Sequence, residues 1–152
     1  MSTLHHFAKA TLVAAMLVQF GSIQAAEHNP KVMSYKLPAQ LKWTTAPSGA
    51  MEAVLSGDPS KPGLYVVMVK WRPHMMSRPH FHPNDRYVTV ISGTWWVGTG
   101  PKYDPDSTFP LPAGSFATHF AKEIHYDGAK DAECVLQIVG MGPQTSTPAE
   151  TK

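Results

Sequence analysis

Residues 80–93 read HFHPNDRYVTVISG: two histidines one residue apart open a strongly β-type run that ends in glycine. Side chains alternate between the two faces of a strand, so His80 and His82 point the same way and both imidazoles can reach one metal ion. A third imidazole, His125 in KEIHYDG, has to arrive from a later strand to complete a three-nitrogen face. Arg86 stands four residues after His82, at the start of the run RYVTVISG.

Working outward, the rest of the chain has the same β character. Short runs rich in β-branched and aromatic residues, AMEAVLSG, GLYVVMVKW, RYVTVISG, TWWVGTG, SFATHF and ECVLQIVG, alternate with stretches such as SGDPSKPG, RPHMMSRP, GPKYDPDSTFPLPAG and YDGAKDA. The latter carry the Gly, Pro, Asp and Ser that make turns. No segment holds a helical period, and residues 27–47, with scattered prolines, are expected to wrap the outside. The fold class is therefore all-β, a sandwich or barrel of one domain.

The spacing of the histidines resembles that of the cupin superfamily. Its first motif is a glycine, five residues, H-x-H, three or four residues, Glu, six residues and a glycine. Here His80 and His82 are followed by three residues, Arg86 in the Glu position, six residues and Gly93, while His74 replaces the opening glycine. The second motif is a glycine, five residues, P-x-G, two residues, His, three residues and Asn. Counting from Gly114 puts Phe120 and Lys122 at the Pro and Gly positions, His125 at the histidine and Ala129 at the asparagine. The resemblance implies a single-domain cupin jelly-roll β-barrel of two sheets over residues 27–143, with His80, His82 and His125 as metal ligands. It also implies a divalent transition metal, for which Fe(II) is favoured and Zn, Mn, Ni or Cu are alternatives. With no Glu ligand, the chain is similar to the three-histidine cupins, which include dioxygenases.

Arg86 cannot ligate a metal and keeps its charge. It either clamps a small anionic substrate beside the ion or pairs at the barrel rim with Asp85, Asp127 or Glu123. Asp127, two residues after His125, shares its face and is a candidate partner for Arg86 or for a histidine. His119 is expected hydrogen-bonded in the barrel wall, or lining the pocket. Cys134 is expected to be a buried apolar residue, and Asp104 and Asp106 to belong to a turn rather than a calcium loop. Of Trp95 and Trp96, alternation sends one inward to wall the pocket. The other, with Met75 and Met76, is expected to form an exposed apolar patch of the kind that pairs subunits into a homodimer.

Residues 1–26 have the pattern of a secretory signal peptide: Lys9, the apolar run ATLVAAMLV, and small residues at Ala25 and Ala26 for cleavage. That apolar run is too short to be a stable membrane anchor, so a periplasmic or secreted protein is expected. Net charge is +2 for the whole chain and falls to about +1 without Lys9, leaving no basic stripe for nucleic acid. One cysteine cannot form an internal disulfide. The polar tail, residues 144–152, has the composition of a disordered segment. Two function classes remain: an exported metal-dependent oxygenase of a small anion (or a Zn- or Ni-dependent hydrolase, lyase or isomerase), and a noncatalytic cupin that binds a small ligand or metal. The catalytic residue is not specified by the pattern.

Overall fold

A computed structural model of the chain describes residues 27–151; the expected signal peptide lies outside them. The chain divides into two units, residues 1–34 and 35–152. Of the first, residues 27–34 hold a turn closed by Val32 N–H donating to the Asn29 carbonyl at 3.0 Å. Among the described residues, every strand lies in the second.

Eleven strands are present among the described residues: β1 Thr44–Thr45, β2 Met51–Ser56, β3 Gly63–Trp71, β4 His80–Phe81, β5 Arg86–Ser92, β6 Thr94–Thr99, β7 Phe109–Pro112, β8 Phe116–His119, β9 His125–Gly128, β10 Cys134–Gly142 and β11 Thr147–Pro148. They form two antiparallel sheets, in the orders β1-β2-β3-β10-β5-β8 and β11-β4-β9-β6-β7. Strands distant in sequence are neighbours in both sheets, as a jelly roll requires. The all-β, double-sheet expectation holds.

The core follows from period-two alternation. Tyr65, Val67, Val69 and Trp71 of β3 point inward, as do Cys134, Leu136 and Ile138 of β10, and Val88 and Val90 of β5. The facing sheet contributes Trp95 and Val97. Burying side chains of this size stabilises the fold by about 1.5–3 kcal/mol each before entropy is counted. At the β5–β6 turn, Gly93 has φ 73°, and a Cβ there would lie 2.3 Å from the Glu133 carbonyl oxygen. Gly98 leaves the space that the Tyr126 ring fills, since a Cβ on it would meet the ring at 2.1 Å.

Five strands escaped the pattern: β1 falls in the stretch expected to wrap the outside, most of β9 falls in the stretch YDGAKDA whose composition marks a turn, and β4, β7 and β11 depart from it as well. The opening stretch is not one strand: β4 belongs to the five-stranded sheet and β5 to the six-stranded one, and Pro83, Asn84 and Asp85 turn the corner between them. Strand β7 lies inside the segment that composition marks as a turn. It is an edge strand bonded only to β6, where Pro110 and Pro112 need not donate. The tail is the third correction. Residues 147–148 pair with Phe81 and His80, Gln144 N–H donates to Pro59, and Ala149 N–H to Pro79. Arg78 grips both carboxylate oxygens of Glu150 through one guanidinium edge, with Nε donating at 2.8 Å and Nη2 beside it. Partners 72 positions apart in sequence hold this strap, so local composition could not reveal it.

The expected Trp–Met patch is also absent. Trp95 is fully buried, while Trp96 is half-buried beneath the Lys130 ammonium, 4.1 Å above the ring. Met75 packs against the core. The exposed apolar side chains lie elsewhere and include Leu64, Met141, Tyr87, Ile91 and Phe116 of the six-stranded sheet.

Candidate metal centre

The three expected ligands converge. His80 on β4 is the register partner of His125 on β9, and His82 follows at the corner before β5. Ring centroids of His80 lie 4.8 Å from those of His82 and 4.6 Å from those of His125. One ligand atom from each of the three lies within 4.8 Å of the others. Two nitrogens each about 2.1 Å from a single ion span at most about 4.2 Å, so a small inward shift brings all three to bonding distance.

Their protonation is set by what lies behind them. Nδ1 of His80 faces the Arg78 carbonyl at 2.8 Å, Nδ1 of His82 the Thr145 carbonyl at 2.7 Å, and Nδ1 of His125 the Glu123 carbonyl at 3.1 Å. A carbonyl only accepts, so each Nδ1 carries the proton and donates it. Each neutral ring then keeps its lone pair on Nε2, the arrangement in which histidine binds metal. Nε2 of His125 is buried without a partner. Burial drives the His82 pKa down to about 2, helped by the Arg86 charge, and that of His125 down to about 4, with Asp127 pulling the other way. Both rings are therefore neutral near pH 7. By chemistry and position these residues fit a divalent first-row ion.

Arg86 reaches the site by a route that the spacing did not reveal. It shares the inward face of β5 with Val88 and Val90, and its Nη1 lies 2.6 Å from His82 Nε2. A guanidinium donates and never accepts. It therefore occupies the very lone pair that a metal would use. The contact of Nη1 with His82 Nδ1, at 3.2 Å, adds no bond because that nitrogen is itself a donor. Among the described residues Arg86 forms no ion pair, so the rim-pairing alternative is not realised. Asp85, in the corner before β5, accepts the Ala121 N–H at 2.7 Å.

Asp127 and His119 also belong here. Asp127 is buried on β9, and its Oδ2 lies 3.8 Å from His119 Nε2. His119, the register partner of Arg86, is buried, but neither of its ring nitrogens has a hydrogen-bond partner. The expected wall hydrogen bond is missing. Instead its ring lies tilted by 32° against that of His125 with centroids 3.7 Å apart. Burial, then the neighbouring His125, holds its pKa well below the usual range.

A cavity of about 440 Å³ opens in front of this cluster. Its walls include His80, His82, Arg86, Asp127 and Trp95 on the polar side, and Val69, Trp71, Leu136 and Ile138 on the apolar side. The strap lines it with Gln144, Thr145, Ser146 and Pro148, and Gln144 Nε2 donates to Glu52 at 2.8 Å. Cys134 is an inert packing residue: it is fully buried and burial pushes its thiol up to about 12. Asp104 caps a short turn by accepting from Asp106 and Ser107, as expected.

The substituted motif letters keep the motif's backbone. His74 and Lys122 stand where the cupin motifs have glycine, and both hold left-handed φ, 61° and 66°. Lys122 N–H donates to the His82 carbonyl at 2.8 Å, which docks the turn before His125 onto the corner that carries His82.

No protein-family model and no curated protein matches the chain. Solved structures do. The polyketide cyclase RemF from Streptomyces resistomycificus superposes with a TM-score of 0.66 at 16% identity, over 79% of this chain and 87% of that one. A cupin-like protein from Thermotoga maritima gives 0.55 at 18% identity, over 69% and 80%. A chain from the DMSP lyases RdDddP and RnDddQII gives 0.55 at 17%, over 68% and 57%. The fold is the cupin fold.

Proposed function

We propose that this cupin-fold protein is a metal-dependent enzyme, an oxygenase of a small anionic substrate, with His80, His82 and His125 holding a divalent ion and Arg86 anchoring the anion. The observation that carries the reading is the commitment of three Nδ1–H groups to backbone carbonyls, which leaves an Nε2 lone pair on each of three imidazoles clustered beside a cavity. An ion held there supplies Lewis acidity, and Fe(II), which we favour, adds redox chemistry with dioxygen.

The chain's own residues do the rest. Arg86, when it leaves His82, presents two parallel N–H donors to a carboxylate or similar anion. Val69, Trp71, Leu136 and Ile138 receive the apolar body of the substrate and exclude water, while Trp95 limits its size. The volume suits a small molecule. Asp127 lines the same cavity and is placed to accept a proton from the substrate. That carboxylate favours a second reading, redox-neutral chemistry with Zn or Ni in a lyase, isomerase or hydrolase. The names of the structural neighbours, a cyclase and lyases, are compatible with it. A noncatalytic cupin would use the same Arg86 to bind an anion without turnover. We further propose that residues 1–26 direct export, with cleavage near Ala25 or Ala26, and that the mature domain works in the periplasm or outside the cell.

Elemental analysis of the mature protein, purified without chelator or metal-binding tag, tests the reading beside His82→Ala. One equivalent of iron in the wild type and none in the variant supports the oxygenase, to be followed by oxygen uptake with small carboxylates. Zinc or nickel selects the redox-neutral reading. A wild type that neither contains nor binds metal refutes both.

A further inference from the structure

Resting on that metal reading, we propose that His119 is a fourth protein ligand of the ion, supplied by β8 because Arg86 on β5 can supply none. The starting observation is an unmet need. A neutral imidazole carries one donor and one acceptor, and each buried group left without a partner costs about 1–3 kcal/mol. His119 is 7% exposed and both its nitrogens lack partners. A phenyl ring would pack there against Trp95, whose centroid is 5.3 Å away, without that cost.

Position supplies the second observation. Ligand atoms of His119, His125 and Asp127 lie within 4.8 Å of one another, as do those of His80, His82 and His125. The two groups share His125. Its Nδ1 holds a proton toward the Glu123 carbonyl, so it offers one lone pair and serves one ion rather than two. The groups are then two sides of a single basin of donors around that lone pair. The 3.8 Å between His119 Nε2 and Asp127 Oδ2 is too long for a hydrogen bond, so the carboxylate does not meet the need of the imidazole.

Topology gives the third. His119 faces Arg86 across the β5–β8 ladder, so the inward position beside the motif's missing carboxylate carries an imidazole. A set of four imidazoles selects Fe, Co, Ni, Cu or Zn and disfavours Mg, Ca and Mn, which prefer oxygen.

The test is Co(II) titration of wild type, His119→Phe, His119→Gln and His80→Ala, reading affinity and the visible d–d absorption, with urea unfolding of each metal-free protein. His119→Phe should weaken Co(II) binding by about tenfold or more and change the absorption band, while the metal-free variant is at least as stable as wild type. Should the Phe variant fail to fold, the Gln variant, which retains polarity, decides by the same two readouts. Unchanged affinity and spectrum in a folded position-119 variant, with Co(II) lost from His80→Ala, would make His119 a wall residue and leave the three-histidine site standing. Loss in the position-119 variants with retention in His80→Ala would support His119 and overturn the assignment of His80. No Co(II) on the wild type would overturn both.

Discussion

Replacing Arg86 with methionine keeps the bulk of the side-chain stem and removes the charge, and it should tighten metal binding. Arg86 Nη1 sits 2.6 Å from His82 Nε2. An ion about 2.1 Å from that nitrogen would lie within about 5 Å of the guanidinium if Arg86 stayed in place. Repulsion between a single and a double charge at that distance is about 2 kcal/mol with the screening of water and about 7 kcal/mol at an effective dielectric of 20. Because Arg86 can retreat into the cavity, the lower figure applies. To it is added the lost hydrogen bond, about 1.5–3 kcal/mol when one partner is charged. The sum of about 4 kcal/mol predicts a dissociation constant at least a hundredfold lower in Arg86→Met. Competition against a chromophoric chelator, in buffer free of carboxylates, measures it. Acetate should tighten metal binding to the wild type by drawing Arg86 off His82, and should do nothing to the variant. Equal or weaker metal binding in Arg86→Met would refute the competition between guanidinium and ion.

Acid should destabilise the metal-free protein. His82, His119 and His125 have depressed folded pKa values, so below their unfolded value of about 6.5 the unfolded chain takes up protons that the folded chain refuses. Stability is full above that pH and falls below it by up to about 4 kcal/mol per pH unit for the three together, until His125 titrates near 4. Urea unfolding at several pH values that gives one flat stability would contradict the burial of neutral imidazoles; bound metal should move the loss to lower pH. Lys122→Gly should relieve a left-handed residue that costs about 1–2 kcal/mol, offset in part by glycine's entropy, and raise stability by up to about 1 kcal/mol; a clear loss would show that the Lys122 side chain contributes. Cys134→Ser should keep metal and activity while losing about 1–3 kcal/mol, the cost of a hydroxyl in an apolar site, and loss of metal would mean that the thiol is more than packing.

The sequence carried the fold through spacing rather than letters. His80, His82 and His125 lie where motif counting puts them, and the turns at positions 74 and 122 kept a glycine's conformation with other side chains. What local pattern could not show was set by distant partners. The sheet change at residues 83–85 was invisible because the histidines and the run after them are both β-type. Parity could place His119 on an inward face, but its lack of hydrogen bonds depends on how two sheets meet. Arg86 had plausible acids nearby in sequence, yet its inward side of β5 points it at His82 instead. The strap was missed because its hold consists of backbone carbonyls and the Arg78–Glu150 pair.

That strap also gives the centre a place in time. The carbonyl that fixes the His82 tautomer belongs to Thr145, 63 residues downstream. As the chain is synthesised, His80, His82 and His125 can all have emerged while His82 is still free to protonate either nitrogen. The complete site comes into being only when residue 145 arrives and β11 docks on β4. An ion held by these three histidines would therefore be taken up last, and partly emerged chains would be a poor trap for whatever ions surround them.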